Sequence, residues 1–403
     1  MTVQEKTFPE PVLFDHALFY NVSPEIMRHS HRHTEMEFWN IVPRVFLQQS
    51  DRSTTARWLG LGILMLTLCC WPHSAGAWSW VPSDDEIQKY RQSWNPFSHG
   101  PLLQQSVDIM PQGQWAIRPF IFSEISEHHF GNRFTLATEQ KNGPVHLYSV
   151  QAPFVNYTYG LTDHFEFVVG TSLNTFWAKD SDSFNKGDGG PWKTNTGLGD
   201  TSVILKYRPL VQDPDTWRPS ITLQHDITLP TGKWFTATKS PPGGFAPLGR
   251  FPSTQFGSIG LTEGVTCRKI IQPFRISCGL YYTYQLPGSD AGQNTYSPDL
   301  INTRVVVEHI LDDQHGFGYN LELVSLHGVP WRLDGHELNR GQLHGFSSIG
   351  VEPGVQWRFG DTNLVGAAGV LFTVAGQNSL GAIYPNFSLF WYFPSKGKNV
   401  IMR

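Results

Sequence analysis

The amino-acid sequence predicts an all-β protein, an antiparallel transmembrane β-barrel of about 12 strands preceded by a signal peptide. Three observations carry this expectation. Apolar and polar residues alternate with period 2 in about twelve segments. The connections between those segments alternate between long and short, as the external loops and periplasmic turns of membrane barrels do. Finally, charged residues make up 16% of the 403 positions, against about 25% in ordinary soluble domains, while there are 38 Gly, 14 Trp, 13 Tyr and 27 Phe. The net charge of -4 comes with no long basic run after residue 78, which argues against nucleic acid as a partner.

Residues 1–51 read as a non-native start or a disordered segment, because a signal peptide normally begins close to its charged region. Their tract His29-Ser30-His31-Arg32-His33 spaces imidazoles at alternate positions but lies outside the mature chain. Residues 52–77 have the order of an export signal: Arg52 and Arg57, the apolar run Trp58 to Trp71, then Ala75-Gly76-Ala77. Cleavage between Ala77 and Trp78 follows. The apolar run is shorter than the roughly 20 residues of a spanning helix. Residues 78–114 show no period-2 pattern and read as a periplasmic lead-in with one short helix at Asp84 to Trp94.

From Trp115 to Phe393 strands are expected near 115–127, 145–159, 164–176, 200–209, 219–230, 255–267, 273–285, 300–311, 316–327, 346–358, 363–374 and 383–393. Phe165, Phe167, Val169, Thr171 and Leu173 oppose His164, Glu166, Gly170, Ser172 and Asn174. Phe274, Ile276, Cys278, Leu280, Tyr282 and Tyr284 likewise oppose Arg275, Ser277, Gly279 and Thr283. Long connections lie near 128–144, 177–199, 231–254, 286–299, 328–345 and 375–382. Aromatics at strand ends, among them Trp115, Trp177, Tyr207, Trp217, Tyr284, Trp357 and Trp391, suit interfacial girdles. The final strand alternates through Phe387, Leu389, Trp391 and Phe393 and resembles the C-terminal signal read by the barrel-assembly machinery. A tail, 394–403, follows it. The expected partners are therefore the lipid bilayer of a Gram-negative outer membrane, that machinery and small-molecule solutes.

At Gly197-Leu198-Gly199-Asp200, Lys206-Tyr207-Arg208 and Leu229-Pro230-Thr231-Gly232 the chain resembles the outer-membrane barrel family named for the meta-pathway of phenol degradation. In that family a GLGD turn enters a strand ending in KYR, and the next strand ends in LPTG. The resemblance implies a channel or uptake protein for small, often aromatic or hydrophobic compounds.

The inward parity carries Glu166, Lys206, Arg208, Asp226, Arg275, Arg304, Glu308, Glu322, Glu352 and Arg358. Two readings stand. These residues line a pore and select solutes, or they pair across the lumen and fill it. Trp234, Phe235, Phe245 and Phe251 sit among glycines and prolines on the longest loop, where they form a mouth for apolar solutes or rest in the headgroups. The function expected is passive uptake of small hydrophobic or aromatic solutes. The alternative is a closed barrel acting through its external loops. Neither an H-x-S pair nor a G-x-S-x-G elbow occurs, so no enzymatic activity and no cofactor is expected. Cys267 and Cys278 flank a short turn and are a candidate disulfide, whereas neither they nor Cys69 and Cys70 have zinc-site spacing. If Cys267 and Cys278 are bonded, Ile259, Leu261, Glu263 and Val265 face outward.

Overall fold

A strand that turns its apolar parity to lipid sends its polar parity inward, and only a closed sheet leaves no backbone group unpaired in the bilayer. The computed structural model has this construction. It describes residues 81–92, 99–139, 144–179, 192–232, 258–290, 293–312, 315–330, 332–333, 336–337 and 345–394, all within the unit Ser53–Arg403. Strand β1 consists of Trp115–Ile117 and Phe120–His129, interrupted at Arg118-Pro119. It is followed by β2 (Pro144–Gly160), β3 (Phe165–Lys179), β4 (Thr201–Leu210), β5 (Ser220–Leu229) and β6 (Gly260–Ile271). The second half comprises β7 (Phe274–Gln285), β8 (Leu300–Asp312), β9 (Phe317–Gly328), β10 (Phe346–Arg358), β11 (Leu364–Gln377) and β12 (Leu380–Phe393). Consecutive strands pair antiparallel throughout, and β12 returns to β1 at Trp115↔Phe393 and Phe122↔Asn386, so the 12-stranded barrel closes.

Burial runs inside out relative to a soluble sheet. Along β9, Phe317, Tyr319, Leu321 and Leu323 are exposed while Asn320 and Glu322 are buried. The apolar parity is therefore the outer surface. Outward aromatics gather at strand ends: Trp115 stacks on Phe393 at 3.8 Å, and Phe165 on Tyr207 at 4.7 Å. Glu263 is exposed on this outer face, as its parity requires, and its carboxylate is met by His225 Nδ1 on β5.

Two expectations about boundaries are corrected. The connection at 375–382, expected to be long, is a tight turn at Asn378 and Ser379, because β11 and β12 run further than their alternation suggests. Asn378 adopts a left-handed φ of 48°, a conformation its short polar side chain tolerates. Strand β6 starts at Gly260 rather than near 255 and continues through Arg268 to Ile271. Cys267 and Cys278 are direct cross-strand partners, both buried, but no disulfide joins them. Non-bonded pairing already places Ile259, Leu261, Glu263 and Val265 on the outer parity, and in-sheet geometry suits a disulfide poorly.

Helix α1, Asp84–Gln92, lies at the end of the barrel that carries the short turns. Ser83 and Glu86 form a capping box: Ser83 N donates to Glu86 Oε2 at 2.9 Å and Glu86 N to Ser83 Oγ at 3.3 Å. Three residues apart, Ile87 and Tyr90 share one face, and they pack in a buried cluster with Val211, Ile270 and Ile310. The other side chains hook the turns. Lys89 Nζ lies 3.0 Å from Asp213 and 2.7 Å from Asp215, Arg91 lies 2.6 Å from Asp163, and Glu86 lies 2.6 Å from Arg218.

This fold makes two predictions. Leu323→Arg places a charge near the middle of the outer face and should lower folding free energy in vesicles by ~2–4 kcal/mol, measured by urea titration. A neutral effect would mean that β9 does not face lipid. Secondly, the Ser83 amide holds the Glu86 carboxyl below its ordinary value. For Asp213, burial pushes the carboxyl up, but Lys89, the Asp215 amide and Arg218 together outweigh it and the net direction is down. Depressed carboxylates stabilise above their ordinary pKa, and that contribution is lost as pH falls through the folded value. Hydrogen-exchange protection factors at 86–92, taken relative to the unstructured rate at each pH, should therefore stay constant from about pH 8 to 5 and fall below about pH 4. Loss of protection already at about pH 6 would contradict the docking.

Candidate channel lumen

The inward face is crowded with charge, and a buried charge without a partner costs several kcal/mol. The partner in this barrel is largely the chain's own segment 99–114. It leaves the lumen beside the end of β2. There Gly113 N donates to Gly160 O and Gly160 N to Gln114 O, each at 2.9 Å. A Cβ on Gly160 would lie 2.1 Å from the Pro111 carbonyl oxygen, so only glycine allows this approach. Inside, Leu102, Gln104, Val107, Ile109 and Met110 are buried.

The segment meets the wall strand by strand. On β3 and β4, Glu166 and Lys206 form an ion pair of 2.8 Å. Lys206 Nζ also donates to the Asp108 carbonyl at 3.0 Å, and Met110 N to Glu166 Oε2 at 2.7 Å. The Asp108 carboxylate accepts from Arg268 of β6 and from the Tyr90 hydroxyl at 2.6 Å, with Arg208 3.8 Å away. On β5, Thr222 Oγ1 donates to the Val107 carbonyl at 2.6 Å. Arg275 and Glu308 of β7 and β8 form a two-pronged ion pair. Gln356 of β10 bridges it to the segment, donating to Glu308 at 3.1 Å and accepting from Gly100 N at 3.0 Å. Glu322 of β9 accepts from the successive amides of Leu102, Leu103 and Gln104.

Eight of the ten charged residues singled out in the sequence are thus placed: Glu166, Lys206, Arg208, Arg275, Glu308 and Glu322 bind the segment or each other, Glu352 accepts from Asn386, and Asp226 accepts from Ser202. The remaining two sit differently. Arg304 donates to Asn302 at 3.2 Å and lies over the Tyr281 ring. Arg358 donates to the Thr362 carbonyl at 2.8 Å and so secures a short turn. The family-like stretch also acquires a physical role. Gly232 N donates to Asp200 Oδ1 at 3.0 Å and Thr231 Oγ1 to Gly199 O at 3.0 Å, tying the two strand ends together near Gly197 and Pro230. Trp234, Phe235, Phe245 and Phe251, and the cleavage position at Ala77 and Trp78, lie outside the described residues.

Sequence reasoning overlooked Asp108, Arg118, Arg268 and Gln356. Arg268 lies beyond the expected end of its strand, Gln356 is uncharged, and Arg118 stands before Pro119 where alternation breaks. Asp108 lies in a segment with no period, and an acidic residue in an apolar-flanked stretch, Val107-Asp108-Ile109, was its available signal.

The segment leaves a cavity of about 370 Å³ along the wall of β12 and β1 to β5, with Arg275 of β7 also in its lining. Its lining extends from Ser172, Asp200 and Asp226 in the long-loop half to Arg91 and Pro111 at the short-turn end. Among the described residues no cluster of His, Cys, Asp and Glu is arranged to hold a metal ion.

No protein-family model and no curated protein sequence matches the chain. Solved structures do resemble it. An outer membrane channel from Pseudomonas putida F1 is 12% identical with a TM-score of 0.57, over 73% of this chain and 100% of that one. The transport unit of the autotransporter AIDA-I from Escherichia coli is 11% identical with a TM-score of 0.40, over 77% of this chain and 100% of that one. The P. putida toluene transporter TodX is 8% identical with a TM-score of 0.35, over 70% and 91%. The fold is that of a Gram-negative outer-membrane β-barrel.

Proposed function

We propose that the protein is an outer-membrane channel that passively admits small hydrophobic or aromatic solutes, and that the segment 99–114 narrows its lumen to one path. The observation that carries this reading is the cavity beside the segment, whose lining reaches from the long-loop half to the short-turn end. A barrel filled only for stability has no need of a continuous space along one wall. The residue resemblance to the meta-pathway barrel family supports the same class of solute, and export by the signal at 52–77 with Trp78 as the mature N-terminus completes it. In that orientation the short turns and α1 face the periplasm.

A closed barrel acting through its external loops is favoured by a different observation, the ion pairing among the wall strands and of the wall arginines with Asp108 of the segment. The two readings separate on flux. Reconstituted protein that shows heat-modifiable mobility, and is therefore folded, should give a small conductance and solute-dependent liposome swelling. Gly160→Val should displace the segment from the end of β2 and raise conductance several-fold. Folded wild-type protein without solute-dependent flux would exclude the channel.

A further inference from the structure

We propose that the cavity beside the luminal segment is a binding site for a small aromatic monocarboxylate, held by Arg118 with its ring against Phe390 and Tyr392. This deepens the channel reading and rests on it only for solute reaching the cavity from outside.

The first argument is charge. Five cations line the cavity: Arg91, Arg118, Lys206, Arg208 and Arg275. Four have carboxylates within 4 Å, namely Asp163, Glu166, Asp108 and Glu308. Arg118 has none among the described residues. Its Nε donates to Ser388 Oγ at 2.9 Å and its Nη2 to the Leu102 carbonyl at 2.8 Å, leaving three of five N–H donors. A guanidinium held in place by neutral groups, with donors to spare at a cavity wall, is a site for a carboxylate.

The second argument is the surface beside it. Phe120, Phe390 and Tyr392 all line this cavity. Arg118 lies 5.0 Å from the Phe390 ring centre, Tyr392 stacks on Phe390 at 5.6 Å, and His99 packs against Phe390 at 5.1 Å. These faces suit a planar ring next to the carboxylate.

The third is unmet hydrogen bonding within the same lining. Gln104 is 1% exposed, and neither its side-chain oxygen nor its nitrogen has a partner. His99 is 4% exposed, and its Nδ1 lies 3.1 Å from the Gly100 carbonyl, which can only accept. Nδ1 therefore carries the proton, and the unpartnered Nε2 offers a lone pair. Such atoms are costly to leave unsatisfied, and a hydroxyl on the ring answers them. Dianions are disfavoured, because Asp200 and Asp226 line the far end of the cavity.

The test is titration calorimetry on the folded, detergent-solubilised barrel with 4-hydroxybenzoate, cyclohexanecarboxylate and benzyl alcohol, alongside liposome swelling with the same compounds. Wild type should bind 4-hydroxybenzoate more tightly than either of the others. Arg118→Gln should weaken 4-hydroxybenzoate roughly 10- to 100-fold and leave benzyl alcohol within about threefold. Gln104→Leu removes no internal hydrogen bond, so it keeps the test sound if Arg118→Gln misfolds, and it too should weaken 4-hydroxybenzoate. No saturable binding by wild type, equal binding of all three compounds, or no effect of Gln104→Leu and Arg118→Gln would overturn the site. Flux without binding overturns the site and leaves the channel; binding without flux does the reverse.

Discussion

The structure depends on one constraint: charges that point into a narrow barrel have too little water to solvate them and must be met by protein. Asp108 shows the solution most clearly. A single carboxylate from the luminal segment faces Arg268, Arg208 and the Tyr90 hydroxyl. Removing one member of such a group leaves the others buried and uncompensated, which costs about 3–5 kcal/mol. The same logic places three consecutive amides of the segment on Glu322. Backbone N–H groups that no sheet would satisfy thus become the counter-dipoles of a buried carboxylate.

The remainder of the architecture follows from that filling. Because the wall charges are oriented toward the segment, the segment has a unique seat, and Gly160 provides the close passage at which it joins β1. Helix α1 then spans the short turns, with Ile87 and Tyr90 buried and the charged side chains hooked to Asp163, Asp213, Asp215 and Arg218. The filling is asymmetric. It contacts the wall from β2 to β10, and its free space lies beside β12 and β1 to β5, next to the contacts that Glu166 and Lys206 make with it. Arg118, in the break of β1, belongs to the open side.

Strands were readable where one parity is apolar throughout, as in Phe317, Tyr319, Leu321 and Leu323, because lipid favours apolar side chains on that face. Boundaries were poorly readable where glycine, threonine or tyrosine suits both faces, which is why β6 and the β11–β12 turn moved. The parity of the charged residues was legible, but their partners were not. Little local in residues 99–114 marks them as a luminal segment, since their bonds to the wall strands reach far along the chain, from Met110 to Glu166 and from Gly100 to Gln356. For the same reason Arg118 could be seen only once Leu102 and Ser388 stood beside it.

The most direct test of the account is proximity between the segment and the wall in the outer membrane. Cysteines replacing Val107 and Thr222, in a background lacking the other cysteines, should be joined by a short bifunctional thiol reagent. A cysteine at the outward neighbour Leu223 in place of Thr222 should give no product with position 107. Efficient joining of 107 to 222 alone is the predicted result. Failure to join them in correctly folded protein would contradict a lumen occupied by residues 99–114.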